Sequence, residues 1–177
     1  MMHNLLVALP EAKPLISYTT RQPRPSDEPG EYNYITKEEF DHMSDAGEFL
    51  WEAHAYVNHY GTRQADIDMA LESANVLYMP VIVLSAVKAL HEYANKVGKV
   101  ANVHSMYIHI EDEAELRSRF TERGDKPEEA EARILECRTW NEEAKNLGVP
   151  FIYLEAQKSR DAIVADALAQ MKARGIK

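Results

Sequence analysis

The sequence predicts an α/β protein with a parallel sheet, and three observations support this. Short apolar runs alternate with longer amphipathic segments, an order that places helices between parallel strands. Glycines follow several of the helical segments, where a left-handed residue commonly ends a helix. Of the 177 residues, 45% are hydrophobic and 28% are charged, a composition typical of a chain that folds around a core. We therefore expect one layered domain over residues 1–177.

The first third of the chain is expected to hold a helix, a loop and a small β-rich lobe. A helix over 1–9 ends at Pro10, and residues 21–30, with three prolines and a glycine, are expected to form a loop. A short helix over 37–46 ends near Gly47. Strands are expected over 15–19 and 32–36, with paired strands within 49–60.

Longer elements begin at residue 63. The run VLYMPVIVL over 76–84 is typical of a strand buried on both faces, although Pro80 argues for a break inside it. The other strands are expected over 105–110 and 150–154, and the helices over 63–73, 86–97, 112–123, 127–147 and 159–173.

Charge and composition exclude several classes of function. Twenty-nine acidic against 20 basic residues give a net charge of −9, which argues against a nucleic-acid polymer as partner. A single cysteine, Cys137, excludes an intrachain disulfide and indicates a reducing compartment. The histidines lack metal-ligand spacing, so no protein-held metal is expected. No apolar run approaches the roughly 20 residues that cross a bilayer, and no signal peptide is recognised, so we expect a cytoplasmic protein.

Four motifs carry the chemistry. Arg21 and Arg24 lie three apart in a proline-stiffened loop, a setting in which guanidinium groups bind phosphate bidentately. The sequences GEYNY, GEFLW and NHYGT follow over 30–34, 47–51 and 58–62. Together with SYTTRQPR over 17–24, these motifs stand in the order and near the spacing of the guanylate kinases, and the chain resembles that family over most of its length.

The resemblance implies a P-loop-kinase-like three-layer fold with a core over 1–19 and 63–177. It also implies a lobe for the nucleoside monophosphate over about 20–62 and a helical lid over about 117–135. By the same resemblance, the side chains that would hold the phosphate of GMP or dGMP are Ser17, Arg21, Arg24, Tyr32 and Tyr60, with Thr62 beside the base.

The lid region carries further arginines. The segment ELRSRFTERG over 115–124 is similar to the family's pattern, and Arg119 and Arg123 fall on one face of a helix. The resemblance implies that these two, together with Arg133, meet the phosphates during in-line transfer from ATP with Mg²⁺.

The sequence departs from the family at three places. None of the seven glycines belongs to a GxxGxGK[ST] loop, which cradles donor phosphates. The family's Asp pair is absent from residues 76–81. Trp51 stands where the family has a guanine-reading Glu, and we expect Glu52, one position later, to reach the base through a β-bulge.

Three interpretations stay open. The chain is a kinase whose true start lies upstream, so that a phosphate loop is missing from this sequence. It is a non-catalytic module that binds GMP or a phosphorylated protein partner through the same Arg and Tyr residues. In the third, another chain supplies the ATP half of the site.

Overall fold

The computed structural model describes residues 2–24, 27, 30–55, 57–109, 112–122, 124, 126–156 and 159–176. It divides the chain into two compact units, Met2–Val103 and His104–Lys177, and each is described by itself. The predicted lobe over 20–62 falls within the first unit and the predicted lid within the second. The division into core, lobe and lid stays a prediction.

The first unit contains a four-stranded sheet in the order β3-β2-β5-β4 and a separate parallel pair, β1 with β6. Within the larger sheet, β2 pairs with β3 in parallel, and the other pairings are antiparallel. Its elements are α1 (Met2–Ala8), β1 (Lys13–Pro14), β2 (Ser17–Thr19), β3 (Tyr32–Tyr34), α2 (Lys37–Asp45), β4 (Phe49–Ala55), β5 (Asn58–Arg63), α3 (Gln64–Glu72), β6 (Tyr78–Met79) and α4 (Leu84–Lys96).

Helix α2 shows why the local sequence folds as predicted. Thr36 accepts from the backbone N–H of Glu39, whose side chain accepts from the Thr36 N–H, so both ends of a capping box are made. Gly47, with a φ of +67°, follows the helix in the left-handed conformation that an L side chain rarely adopts. Phe40, 1% exposed, stacks on the Phe49 ring and fixes α2 against the sheet.

The core of this unit lies beside α3 and α4, both of which pack against β4. Its buried members are Leu15, Ile67, Leu71, Leu90 and Ala94. Their burial joins the segment between β1 and β2 to both helices. Burial of such side chains contributes roughly 1.5–3 kcal/mol each.

The prediction of a strand over 76–84 is correct only for two residues at its centre and wrong for the rest. Only Tyr78 and Met79 pair, with β1, and Val81 and Val83 are 65% and 49% exposed. Pro80 has no N–H for the ladder and ends the strand there. The composition of this apolar run is typical of a strand buried on both faces, but much of the run is loop.

The second unit contains a two-stranded sheet and three α-helices among its described residues. Strands β7 (Ser105–His109) and β8 (Phe151–Glu155) pair in parallel over five residues. Helix α7 (Arg160–Ala173) packs against β8, while the Tyr107 hydroxyl donates to the Asn141 side chain of α6 (Pro127–Asn146) at 3.0 Å. Helix α5 (Glu113–Glu122) packs beside α6.

The predicted α/β class with parallel strands is therefore confirmed, and most predicted helices agree within a few residues. Within the described part of the chain, no helix is both long and apolar enough to cross a membrane.

Candidate functional site

The strand register divides the four-stranded sheet into two faces, because directly paired residues share a face and neighbours along a strand alternate. We call one the Tyr60 face and the other the Phe49 face. The Tyr60 face carries Ser17, Thr19, Tyr32, Tyr34, Trp51, Ala53, Tyr60 and Thr62. The Phe49 face carries Tyr18, Phe49, Glu52, His54, His59, Gly61 and Arg63, and α2 covers part of it.

A buried arginine lies among the tyrosines of the Tyr60 face. Arg21 is 8% exposed, and its guanidinium carbon is 5.3 Å from the centre of the Tyr32 ring and 5.7 Å from that of Tyr34. The Tyr32 ring in turn meets Tyr60 edge to face, with ring centres 5.9 Å apart. Three residues that the sequence assigns to phosphate binding, Arg21, Tyr32 and Tyr60, thus form one cluster.

Asp27 holds this arginine. The Arg21 Nη2 donates to Asp27 Oδ1 at 3.0 Å, the Tyr34 hydroxyl donates to Oδ2 at 2.6 Å, and the Arg24 backbone N–H donates to Oδ2 at 2.7 Å. The Arg21 hydrogen bond, followed by those from Tyr34 and Arg24, holds the pKa of the Asp27 carboxyl well below its usual range. These donors therefore surround one carboxylate of the chain itself, an anion with two oxygens.

Sequence reasoning missed Asp27 as part of the site. A carboxylate three residues after Arg24, in a loop already chosen for its arginines, was the available signal. Its partner Tyr34 lies in the quoted GEYNY motif but had no assigned role.

Ser17 and Thr62 meet on the same face, in the interior of the sheet. Their hydroxyl oxygens are 2.8 Å apart, and the residues are 5% and 0% exposed. Thr19, also fully buried, donates to the His59 carbonyl and accepts from the Arg21 N–H. This second contact ties the start of the arginine loop to the sheet.

Glu52 does not join these residues. The strand register shifts between Phe49 and Trp51, so β4 has an irregularity where a bulge is expected. This shift, however, sets Trp51 and not Glu52 opposite Thr62. Glu52 points to the Phe49 face, where it accepts from the Ser44 hydroxyl of α2 at 2.8 Å. Trp51, rather than Glu52, therefore shares the face of Thr62 and Tyr60.

Arg24 contributes to the cluster through its backbone, and its side chain is exposed. It lies in the same loop as Arg21, so the two predicted phosphate-binding arginines differ in burial. Arg21 is fixed and Arg24 faces solvent.

The arginines predicted for the lid belong to the second unit. In α5, Arg119 donates to Glu115 Oε1 at 2.8 Å and to the Ala156 carbonyl. The guanidinium carbon of Arg133, in α6, is 6.0 Å from the centre of the Phe120 ring. Arg123 lies outside the described residues.

The described residues give little support for a metal site or for a nucleophilic cysteine. Across the described ranges, no group of three or more His, Cys, Asp or Glu side chains could hold a metal ion. Burial raises the pKa of the Cys137 thiol, which is the opposite of what a nucleophilic cysteine needs.

Comparison with known proteins adds independent findings. The family described as guanylate kinase matches residues 1–147. The guanylate kinase of Alkalilimnicola ehrlichii is 32% identical over 137 residues, covering 76% of this chain and 64% of the relative. That of Thiobacillus denitrificans is 31% identical over 132 residues, covering 73% and 60%. That of Symbiobacterium thermophilum is 29% identical over 171 residues, covering 96% and 74%.

Among solved structures, the guanylate kinase of Anaplasma phagocytophilum matches with a TM-score of 0.72 at 18% identity, over 99% of this chain and 81% of that one. This likeness shows the fold. The chain spans less than two thirds of the first two curated relatives. A family match across 147 of 177 residues, joined to this fold, shows that the chain belongs to the guanylate kinase family.

Proposed function

We propose that the Tyr60 face binds the 5′-phosphate of a nucleoside monophosphate and that the chain is a guanylate-kinase-type phosphotransferase. The observation that carries the proposal is the buried Arg21, set against Tyr32 and Tyr34 and held by a carboxylate. By family, the acceptor is GMP or dGMP and the donor is ATP with Mg²⁺, giving GDP or dGDP and ADP.

The roles follow from the chemistry of each group. Arg21 presents a planar fork for two phosphate oxygens, and Tyr32 and Tyr60 add hydroxyl donors beside it. Arg24, exposed in the same loop, supplies a second positive charge. By family, Ser17 is assigned to the phosphate and Thr62 to a place beside the base, and the two hydroxyls bond to each other inside the sheet.

We assign Arg119, Arg123 and Arg133 to the charge that develops on the transferred phosphoryl group. Such transfer depends on positioning and electrostatic stabilisation, and an arginine in this role contributes on the order of 10³-fold or more in rate. Among the described residues, no cluster of acidic side chains could hold Mg²⁺. We therefore assign no ligand of this ion to the chain.

The second candidate is a non-catalytic module that binds GMP or a phosphorylated protein through the same face. One specific observation favours it: the 177 residues contain no GxxGxGK[ST] loop for the donor phosphates. The Arg21 cluster suits this function equally well, because binding a phosphate group does not require a site for the phosphates of ATP.

A coupled kinase assay on the full chain separates the two candidates. MgATP is combined with GMP, dGMP, AMP or UMP, and binding of each monophosphate is measured by calorimetry on the same sample. Turnover supports the kinase. Binding without turnover, together with capture of a phosphopeptide that Arg24→Ala abolishes, supports the module. If no monophosphate and no phosphopeptide binds, both candidates fail.

A further inference from the structure

Tyr34 is a residue of the Tyr60 face whose hydroxyl has no role in the proposed function. It stands on β3 directly opposite Thr19 of β2, and the backbone N–H of Ile35 donates to the Thr19 carbonyl at 3.0 Å. The sheet therefore holds the backbone that carries this side chain. The Tyr34 hydroxyl donates to Asp27 Oδ2 at 2.6 Å, a distance typical of a charge-assisted hydrogen bond from a hydroxyl to a carboxylate.

The Asp27 carboxylate connects this hydroxyl to the guanidinium of Arg21. Arg21 Nη2 lies 3.0 Å from both carboxylate oxygens, and Arg21 Nη1 donates to the Gln22 carbonyl at 3.1 Å. A planar guanidinium held at both terminal nitrogens cannot turn about its Nε–Cζ bond without breaking both contacts. These contacts therefore fix the direction in which the guanidinium presents its other N–H groups.

The carboxylate is itself held from two sides. Its own loop supplies the Arg24 backbone N–H, at 2.7 Å from Oδ2, and the sheet supplies the Tyr34 hydroxyl. A donor in the same loop moves with Asp27 and does not fix it relative to the sheet. The Tyr34 hydroxyl is therefore the contact that places the carboxylate against the sheet, and the guanidinium of Arg21 with it.

The hydroxyl and the ring of Tyr34 make separate contacts. The ring centre lies 5.7 Å from the guanidinium carbon of Arg21 and 6.1 Å from the centre of the Tyr32 ring. A phenylalanine at this position would keep both ring contacts and lose only the O–H. The hydrogen bond to Asp27 is the main cause that raises the pKa of the Tyr34 hydroxyl, so the group stays protonated and donates at neutral pH.

We infer that Tyr34 is a positioning residue of the phosphate site: its hydroxyl orients the Asp27 carboxylate, and the carboxylate orients the guanidinium of Arg21. This inference rests on the proposed function, since it takes Arg21 as the group that binds the phosphate. Tyr34 acts through Asp27 and does not touch the ligand, because its O–H is already donated to the carboxylate. Each member of this chain of contacts can be removed by one substitution.

Calorimetric titration of the full chain with GMP tests the inference. Tyr34→Phe is expected to weaken binding by about 3- to 10-fold, the cost of ordering one long side chain when the ligand binds. Tyr93→Phe is the matched control, because the Tyr93 hydroxyl of α4 donates to Asp68 of α3 at the same 2.6 Å. The control loses the same kind of hydrogen bond and should bind GMP as the wild type does. Equal weakening in both variants would overturn the inference.

A double-mutant cycle tests whether the hydroxyl acts through Asp27. In Asp27→Ala the hydroxyl has no carboxylate to orient, so adding Tyr34→Phe should not weaken GMP binding further. A further loss as large as that of the single variant would show that the hydroxyl touches the ligand, and the positioning role would be wrong. Tighter binding in Tyr34→Phe would show that the Asp27 contact withholds Arg21 from the phosphate, which also overturns the inference.

The rotation of the Arg21 guanidinium about its Nε–Cζ bond gives a readout that needs no ligand. NMR exchange between Nη1 and Nη2 measures this rotation in the free chain. The rate should rise in Tyr34→Phe and stay at the wild-type value in Tyr93→Phe, and an unchanged rate in Tyr34→Phe would overturn the inference. The same measurement decides the question if Asp27→Ala does not fold or binds GMP too weakly to measure.

Arg21→Lys separates this inference from the proposed function. If the wild type binds GMP in an Arg21-dependent manner and Tyr34→Phe binds it as tightly as the wild type, the inference fails and the proposed function stands. If the wild type binds no mononucleotide, or if Arg21→Lys binds GMP as well as the wild type does, the proposed function itself fails, and the inference with it.

Discussion

The guanidinium of Arg21 and the carboxylate of Asp27 form a buried ion pair in which Nη2 lies 3.0 Å from both Oδ1 and Oδ2. The two side chains are 9% and 11% exposed, far less than those of the surface pairs in this chain. An arginine fixed in this way, with aromatic rings beside it, loses little conformational freedom when it meets a ligand. The pair is therefore the centre of the proposed site.

Replacing Arg21 by Lys should weaken binding of AMP and GMP by about 10- to 100-fold, since a lysine keeps the charge but loses the bidentate fork. Calorimetry measures the affinities, and a melting curve checks that the variant is folded. Arg63 is a matched control, because it pairs with Asp66 at 2.8 Å and lies 5.1 Å from the Tyr18 ring, but on the Phe49 face. Equal losses in Arg21→Lys and Arg63→Lys would contradict the assignment of faces.

The Asp27 carboxyl should make the stability of the protein depend on pH. Its folded-state pKa is lowered, so its contribution is present above the unfolded pKa of about 3.9 and is lost as the pH falls below that value. We expect the stability gap between the wild type and Asp27→Asn to be constant from pH 7 to 5 and to shrink from pH 4 to 3. Chemical denaturation at each pH measures it.

Asp41→Asn is the control for this experiment. Asp41 pairs with Lys37 at the surface, where their side chains are 50% and 59% exposed, and such pairs contribute little. A gap for Asp27→Asn that stayed constant down to pH 3 would show that the carboxyl has an ordinary pKa.

Ser17 and Thr62 should prove energetically coupled. Ser17→Ala leaves the buried Thr62 hydroxyl without its partner and should destabilise the fold by about 1–3 kcal/mol. Adding Thr62→Val removes the stranded group, so the double variant should lose less than the sum of the two single ones. Denaturant unfolding measures all three. Thr139→Ala, at an exposed hydroxyl on α6, should stay within about 0.5 kcal/mol, and strict additivity of the pair would refute the coupling.

Gly61 is required by the close approach of the Phe49 ring. A Cβ at this position would stand 2.8 Å from the nearest ring carbon, so Gly61→Ala should destabilise the protein by about 1–3 kcal/mol. The three atoms nearest to the added methyl group all belong to that ring, and Phe49→Leu should therefore relieve part of the cost in the double variant. A thermal melt of the four proteins measures this, and a full cost that persists in Gly61→Ala/Phe49→Leu would place the clash elsewhere.

Local signals predicted the helices well because caps act within a few residues. Gly47 marks the end of α2 in the sequence, and in the structure the Thr36 capping box fixes its beginning. The strand over 76–84 was extended too far, since an apolar run does not show which of its residues have a pairing partner and Pro80 removes one donor.

The arginine and tyrosines of the candidate site could be predicted from the sequence, but which residue of β4 lies on their face could not. The sequence motifs pointed to Arg21, Tyr32 and Tyr60, and these meet because Tyr32 and Tyr60 lie on the two strands that flank β2 while Arg21 follows β2 directly. Whether Trp51 or Glu52 shares the face of Tyr60 depends on where a bulge falls in β4, and the position of a bulge is set by the pairing of two strands.

Phosphate binding at Arg21 is tested most directly by the NMR signals of the arginine Nε–H groups, assigned with the Arg21→Lys and Arg63→Lys variants. AMP and GMP are each added to saturation. We expect the Arg21 signal to shift with either ligand, while the signal of Arg63, on the opposite face, stays in place. A shift of Arg63 with Arg21 unchanged, or no shift of Arg21 at saturation, would contradict it.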